Sequence, residues 1–301
     1  MNLNQLHVFC TVADEKSLTR AAKKLHLSQP AVSGQVKAME SLYNLCLFER
    51  TNHGVELTPA GEVVYRYARQ LLNIHDDMKH VLEGMSNAQP CCLTVGASTV
   101  AGGYPLPCSI FVFKERHPQA SIRLDVANSA AILEKVRTAA LDLAIMEGPV
   151  DDAEVVVIPC ADDEMALVVP YIEPWINMSE ITLKGLQGLP LIIREQGSGT
   201  RSVLEAALAG HGLSLNDLNI ATEMGNLDSV KSAVEAGHGV AVLPLFTIRK
   251  ELYTKMLKAI PIMDLELKLN YKVIYHRNQI ISEITKAFIR LVTDPEERAF
   301  C

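Results

Sequence analysis

The sequence predicts an α/β fold in three parts: a winged helix-turn-helix over 1–58, a long linker helix over 59–88, and a two-subdomain α/β domain over 91–301. Three observations predict it. Residues 17–33 carry the capping and turn chemistry of two short helices. Residues 64–85 place an apolar side chain at every third or fourth position with no proline between them. Beyond residue 91, short apolar runs alternate with helical periodicity, the pattern of layered α/β sheets.

In the first part, Ala21, Ala22 and Leu25 give one helix a small apolar face, and Leu27 sits in a tight turn. Ser28 then offers a side-chain oxygen as N-cap. Pro30 falls in the first turn of the next helix, where its missing N–H costs little. Val32, Val36 and Met39 recur at helical spacing and are expected to face inward. The opposite face carries Pro30, Ser33, Gly34, Lys37 and Ser41. Small polar groups and one cation suit the major groove, which admits a helix only when bulky groups do not hold it off. Two amphipathic helices of an ordinary bundle would share the periodicity, but the next segment argues against that reading. Leu47-Phe48-Glu49-Arg50-Thr51 leads into the turn signal Asn52-His53-Gly54, and Val55-Glu56-Leu57 follows. Two short strands about a polar turn make a wing, with Arg50 at its base to meet a phosphate.

Residues 1–61 resemble the N-terminal domain of LysR-type transcriptional regulators. The resemblance rests on Leu6-His7-Val8-Phe9, Ser17-Leu18-Thr19-Arg20-Ala21-Ala22, the run from Leu25 to Ser33, Leu47-Phe48-Glu49-Arg50 and Leu57-Thr58-Pro59-Ala60-Gly61. It extends more loosely over the rest of the chain, and a length of 301 residues suits the family. It implies sequence-specific binding of double-stranded DNA, with Gln29, Pro30, Ser33 and Lys37 at the groove and Arg50 on the backbone. Gly34 departs from the family pattern, since many relatives carry a larger polar or basic side chain there. No base contact is expected from it.

The net charge of −7 is unevenly divided. Residues 1–88 hold nine Lys/Arg and nine Asp/Glu, whereas 89–301 hold nineteen and twenty-six. Within 16–50 the balance is six basic to two acidic, so the positive charge is local, as a phosphate-contacting patch requires. There is no stretch of eighteen apolar residues and no secretory signal after Met1, so a cytoplasmic protein without membrane contact is expected. Seven cysteines, an odd number without C-x-x-C spacing, argue against a disulfide framework and a structural zinc.

Val64, Tyr67, Leu71, Ile74, Met78, Val81 and Met85 follow a heptad seam. A helix packed on its own domain would need a wider apolar stripe. A dimerisation helix is therefore expected, since a dimer reads two half-sites. The family resemblance implies the same pairing, and a homodimer or a tetramer as the assembly. Residues 86–90 read as a hinge.

The last part is expected to alternate strands at 93–97, 122–126, 143–146, 166–169, 191–193, 240–243 and 271–275 with helices at 109–115, 130–140, 198–209, 227–236 and 281–292. Parallel-type open sheets with helices on both faces follow. One subdomain is expected over about 91–162 and 268–301, the other over about 163–267. Two such halves resemble a periplasmic-binding-protein-like effector domain, the family's C-terminal fold. In open α/β sheets a ligand sits beyond the carboxyl ends of strands. Four segments lie at such ends: the run from Ala97 to Gly103 with Ser98 and Thr99, Asn128-Ser129, the run from Arg194 to Arg201 with Gly197-Ser198-Gly199-Thr200, and Gly225-Asn226; each offers hydroxyls, an amide or a glycine-opened backbone at a helix start. Such groups suit a small anionic effector; as individual residues they read equally well as N-caps. Glu147 also ends a strand there, to close a hinge or oppose an anion. The run from Arg194 to Arg201 resembles regulators of sulfur assimilation and carbon fixation.

No catalytic residue, metal site or cofactor is expected. Gly197-Ser198-Gly199 lacks the G-x-S-x-G spacing, no phosphate-binding loop of the G-x-x-x-x-G-K-[ST] type occurs, and the histidines are dispersed. The alternatives are a thiol switch through the vicinal Cys91 and Cys92, and a small-molecule binding protein or enzyme with no DNA role. The second would leave the first 90 residues idle.

Overall fold

The computed structural model describes residues 1–51, 54–85 and 92–300; for Arg50 and several residues of the long helix it describes the backbone alone. The chain forms two compact units, one made mainly of residues 1–91 and the other mainly of residues 92–301.

In the first unit, α1 (Leu3–Glu15) opens on a capping box in which Asn2 accepts from the Gln5 backbone and Gln5 accepts from that of Asn2. Ser17 caps α2 (Leu18–Lys24), and Ser28 caps α3 (Gln29–Tyr43) through the Ala31 N–H, with Pro30 in the first turn as expected. Val8, Val12, Ala21, Ala22, Val32 and Val36 bury together between the three helices. The wing is the antiparallel pair β1 (Phe48–Thr51) and β2 (Gly54–Leu57). Gly54 has φ +136°, and a Cβ there would stand 2.2 Å from the Lys16 carbonyl oxygen, so β2 can start this close to the Lys16 backbone only with glycine. α4 runs from Pro59 to Met85, and its Ala68 is buried in a cluster with Leu6, Phe9, Cys10, Met39 and Leu47.

The second unit begins with β3 (Cys92–Ser98), α5 (Thr99–Gly103), α6 (Leu106–Arg116), β4 (Ser121–Ala127), α7 (Ser129–Arg137) and β5 (Leu143–Glu147). β3 pairs in parallel with β4 on one side and β5 on the other. The chain then enters β6 (Val155–Pro170), followed by α8 (Leu183–Gln187), β7 (Leu191–Arg194), α9 (Gly199–Gly210), β8 (Ile220–Met224), α10 (Leu227–Glu235), β9 (Ala241–Pro244), α11 (Arg249–Tyr253) and β10 (Leu257–Ile260). It returns through β11 (Lys268–His276) and ends on α12 (Glu283–Thr293).

The parallel-sheet expectation needs correction here. β6 is 16 residues long and pairs antiparallel with β11, β9 and β10, and β11 also pairs antiparallel with β5. The result is one mixed path, β10-β6-β11-β5-β3-β4, with β9 on β6 and β7-β8 as a separate parallel pair. β6 and β11 therefore run through both halves of the unit and join them. β6 carries two apolar runs in the sequence, at 155–158 and 165–169, and the acidic stretch Asp162-Asp163-Glu164 between them hides that they form one strand. Only Val155 and Cys160 of its first ten residues are buried, so this part of the strand is largely open to solvent. β8 and β10 also lack a clear sequence signal; β8 carries mostly exposed side chains. Cys10, Cys46, Cys92 and Cys160 are free, whereas Cys108 is disulfide-bonded, contrary to what the scattered spacing suggests.

Candidate functional site

Two surfaces carry the sequence-predicted residues. On α3, Gln29, Pro30 and Lys37 are exposed and Ser33 is half-buried, while Val32, Val36 and Met39 close the opposite face. A Cβ added at Gly34 would meet nothing within 4 Å, so the face is open at its centre. The Arg50 side chain lies outside the described residues. Along α4, Tyr67, Leu71, Ile74 and Met78 are 44–56% exposed and form an apolar stripe. Val64 leaves the expected seam: it packs inward with Phe48, Leu57 and Ala60, and Val63 takes the outer position. The side chains of Val81 and Met85 lie outside the described residues, as do the hinge at 86–90 and Cys91.

In the second unit, the strand ends of both halves meet. From the first half, Ser98 ends β3 and accepts from the Ala101 N–H, and Asn128 caps α7 through Ala131. From the second half, Gly197, Ser198, Gly199 and Thr200 lead into α9, and Asn226 caps α10 through Asp228 and Ser229. Ser98, Asn128 and Asn226 are thus engaged as local caps. Ser198 is not: α9 starts with no side-chain cap bond, and the buried Thr200 Oγ1 has no partner.

Direct hydrogen bonds cross between the halves. The Gly199 N–H donates to Ser129 Oγ at 3.1 Å, and the Ala130 N–H to the Gly197 carbonyl at 3.0 Å. Arg194 Nη2 donates to Thr99 Oγ1 at 3.1 Å and reaches the Gly225 carbonyl at 3.5 Å. Gly197 holds φ +87°, the left-handed backbone that lets this loop approach Asn128 and Ala130. Ser98, Thr99, Asn128, Gly197, Gly199 and Gly225 therefore converge. Sequence reasoning placed Ser129 and Arg194 in strand-end segments but assigned neither to the ligand. The available signal was the position of Arg194 at a strand end directly before a glycine-opened turn.

Glu147 lies at the floor of this cluster and is 1% exposed. Ser98 donates to its Oε2, and Ser129 Oγ stands 3.5 Å from its Oε1. Burial raises its pKa above the ordinary 4.5, opposed by the Ser98 hydrogen bond and by the charge of Arg194. Among the described residues no group of three or more His, Cys, Asp or Glu side chains is placed to hold a metal ion. No helix among them is long and apolar enough to cross a membrane.

Comparison with known proteins gives the context of both surfaces. Residues 3–62 match the family model described as "Bacterial regulatory helix-turn-helix protein, lysR family", and residues 92–295 match "LysR substrate binding domain". Over 302 residues the chain is 33% identical to the RuBisCO operon transcriptional regulator of Allochromatium vinosum, covering 100% of this chain and 98% of that one. A full-length OxyR variant from Pseudomonas aeruginosa shares the fold, with a TM-score of 0.72 and 24% identity over 100% of this chain and 98% of that one. The regulatory domain of CcmR from Synechocystis PCC6803, solved in complex with 2-PG, shares the fold of the second unit. Its TM-score is 0.61 at 23% identity, covering 67% of this chain and 95% of that one.

Proposed function

The chain belongs to the LysR family of transcriptional regulators, and from that premise we propose that it reads duplex DNA as a homodimer or a tetramer under the control of a small anion. In this reading residues 1–58 bind DNA, 59–88 pair subunits, and 91–301 hold the effector between their two halves. The protein works in the cytoplasm and needs no catalytic step or cofactor.

The observation that carries the DNA reading is the outer face of α3, with Gln29, Pro30 and Lys37 exposed above a sealed apolar side. Gln29, Ser33 and Pro30 stand at the base edges in this proposal, and Lys37 and Arg50 supply charge to phosphates. The Allochromatium relative regulates a RuBisCO operon, so genes of carbon fixation are the proposed target. The convergence of Ser98, Thr99 and Asn128 with the glycines at 197, 199 and 225 supports the effector cleft, and the reading assigns Ser198, Thr200 and Asn226 to it as well. The compound in the CcmR structure, 2-PG, is the first effector to test.

Selection of duplexes from a random pool, followed by salt titration, tests the DNA assignment. Lys37→Ala is expected to weaken binding to every duplex and to lower the salt slope by about one unit. Ser33→Ala is expected to change the selected sequence. Unchanged affinity, slope and selection in the double variant would remove α3 from the groove.

A further inference from the structure

We propose that the cleft takes an acid by exchange: the incoming oxyanion, a compact carboxylate or phosphate, displaces the Glu195 carboxylate from the guanidinium of Arg194. This rests on the effector-cleft reading above and adds the ligand's chemical class and the residue that recognises it.

Arg194 is 3% exposed at the end of β7. Its Nε and Nη2 donate to the two carboxylate oxygens of Glu195 at 2.8 and 3.0 Å, and Nη2 also reaches Thr99 in the other half. Its Nη1 is buried with no partner. A buried donor on a cation left unpaired is costly, and either a water molecule or an oxygen of a bound acid would satisfy it. Thr200 Oγ1 is buried and unpartnered as well. Arg194 and Thr200 line one cavity of about 10 Å³ with Ile193, Arg201, Leu204 and Val242. That space holds no more than a water molecule and is lined from the second half alone, so an acid that meets Arg194 beside Thr99 takes the place of Glu195 and does not fill this cavity.

Glu195 is the group placed to leave. Its side chain is 19% exposed, so it can reach solvent without being buried elsewhere. Charge points the same way. With Glu195 in place the guanidinium is already matched, and the buried Glu147 adds to the acidic side. A second anion would meet repulsion, whereas an exchanged one would not. A carboxylate or phosphate reproduces the two-point geometry that Glu195 offers the guanidinium. A phosphate brings a further oxygen for Thr99, which already stands on Nη2. A neutral or cationic ligand gains nothing from Arg194 while Glu195 stays. Because the Thr99 bond crosses the halves, exchange at Arg194 also acts on the contact that holds them together.

The test is calorimetric titration of the full-length protein with 2-PG and, separately, with inorganic phosphate. Glu195→Gln keeps the size of the side chain and removes its charge. It is expected to bind both probes roughly tenfold more tightly than the wild type. Arg194→Met is expected to lose binding of both, with a thermal melt reporting that it stays folded. Thr99→Val marks the cleft itself. If Thr99→Val weakens binding but Glu195→Gln leaves it unchanged or weaker, the exchange is overturned and the cleft reading stands. If all three variants bind like the wild type, or neither probe binds the wild type or Glu195→Gln, both readings fall.

Discussion

Lys231 and Tyr104 meet across the two halves of the second unit, the Lys231 ammonium standing 5.2 Å from the centre of the Tyr104 ring. Tyr104 follows α5 in the first half, and Lys231 lies on α10 in the second. The Tyr104 hydroxyl also donates to Asp228 at 3.3 Å, and Lys231 reaches Asp228 at 3.2 Å and Glu251 at 2.8 Å. Burial works against the Lys231 charge, but its hydrogen bonds to Glu251 and Tyr104 outweigh it, and the pKa is raised.

That pair predicts two unequal losses. Lys231→Met leaves Glu251, 14% exposed, without its cation. It should cost about 2–4 kcal/mol, near the lower end for breaking a buried pair because Asp228 is solvated. Tyr104→Phe keeps the ring over the ammonium and removes the hydroxyl's hydrogen bonds to Asp228 and Lys231, so it should cost less, about 1–2 kcal/mol. Urea unfolding of both variants measures the difference. Equal losses would mean that the ammonium does not bear the contact.

Glu147 predicts a pH dependence of known sign. Its pKa in the folded protein is raised above 4.5 by burial. The folded state then keeps a proton that the unfolded chain has already released. Stability falls as pH climbs from the ordinary carboxylate range to the raised value, and is level above it. Glu147→Gln removes the titration while keeping an acceptor for Ser98. The variant should match the wild type near pH 4 and gain on it as pH rises. Thermal melts across that range check the trend, and a gap that does not change with pH would show that Glu147 does not titrate in this window.

The N-terminal helices are legible in the sequence because their caps are local chemistry. Asn2, Ser17 and Ser28 each accept from a backbone N–H three residues on, and spacing alone finds such pairs. The long helix is legible from its period, apart from Val64, where the wing and α1 give the first turns a second partner. Strand order is less so. β6 and β11 pair at sequence separations near one hundred residues, and no local pattern specifies an antiparallel partner that distant. In the cleft, side chains at strand ends announce themselves by position. Ser129 and Arg194 stand at such ends too, but position does not give their role, which comes from contacts with the other half, Gly199 for one and Thr99 for the other.

The exposed stripe on α4 predicts a subunit contact. Tyr67, Leu71, Ile74 and Met78 leave an apolar seam uncovered within the chain. Leu71→Asp with Ile74→Asp would place like charges against each other in a paired seam, each costing several kcal/mol when buried, roughly the penalty for an unpaired ion. Both side chains are exposed in the single chain, so its own folding should barely change. Sedimentation is expected to show a smaller, still folded particle, its melting temperature lowered only by the lost subunit contact. An unchanged mass would place the subunit contact elsewhere.

Gly199 predicts how closely the halves must approach. It is the first residue of α9, and a Cβ there would stand 2.4 Å from the Glu147 carbonyl oxygen and 2.7 Å from Ser129 Oγ, both in the first half. Neither contact is tolerable, and the first is to backbone, so alanine must push α9 away. The Gly199 N–H to Ser129 bond would lengthen with it. Helix propensity alone favours alanine over glycine, so any loss measures the steric contact and not the helix. Gly199→Ala should cost about 1–3 kcal/mol, the range for overpacking. Gly210 ends the same helix with nothing within 4 Å of its Cβ position. Gly210→Ala should be neutral or gain up to about 1 kcal/mol, which controls for the substitution itself. Urea unfolding of the two variants side by side decides it. If Gly199→Ala is as stable as Gly210→Ala, the halves do not need this contact, and Ser129 holds Glu147 without help from α9.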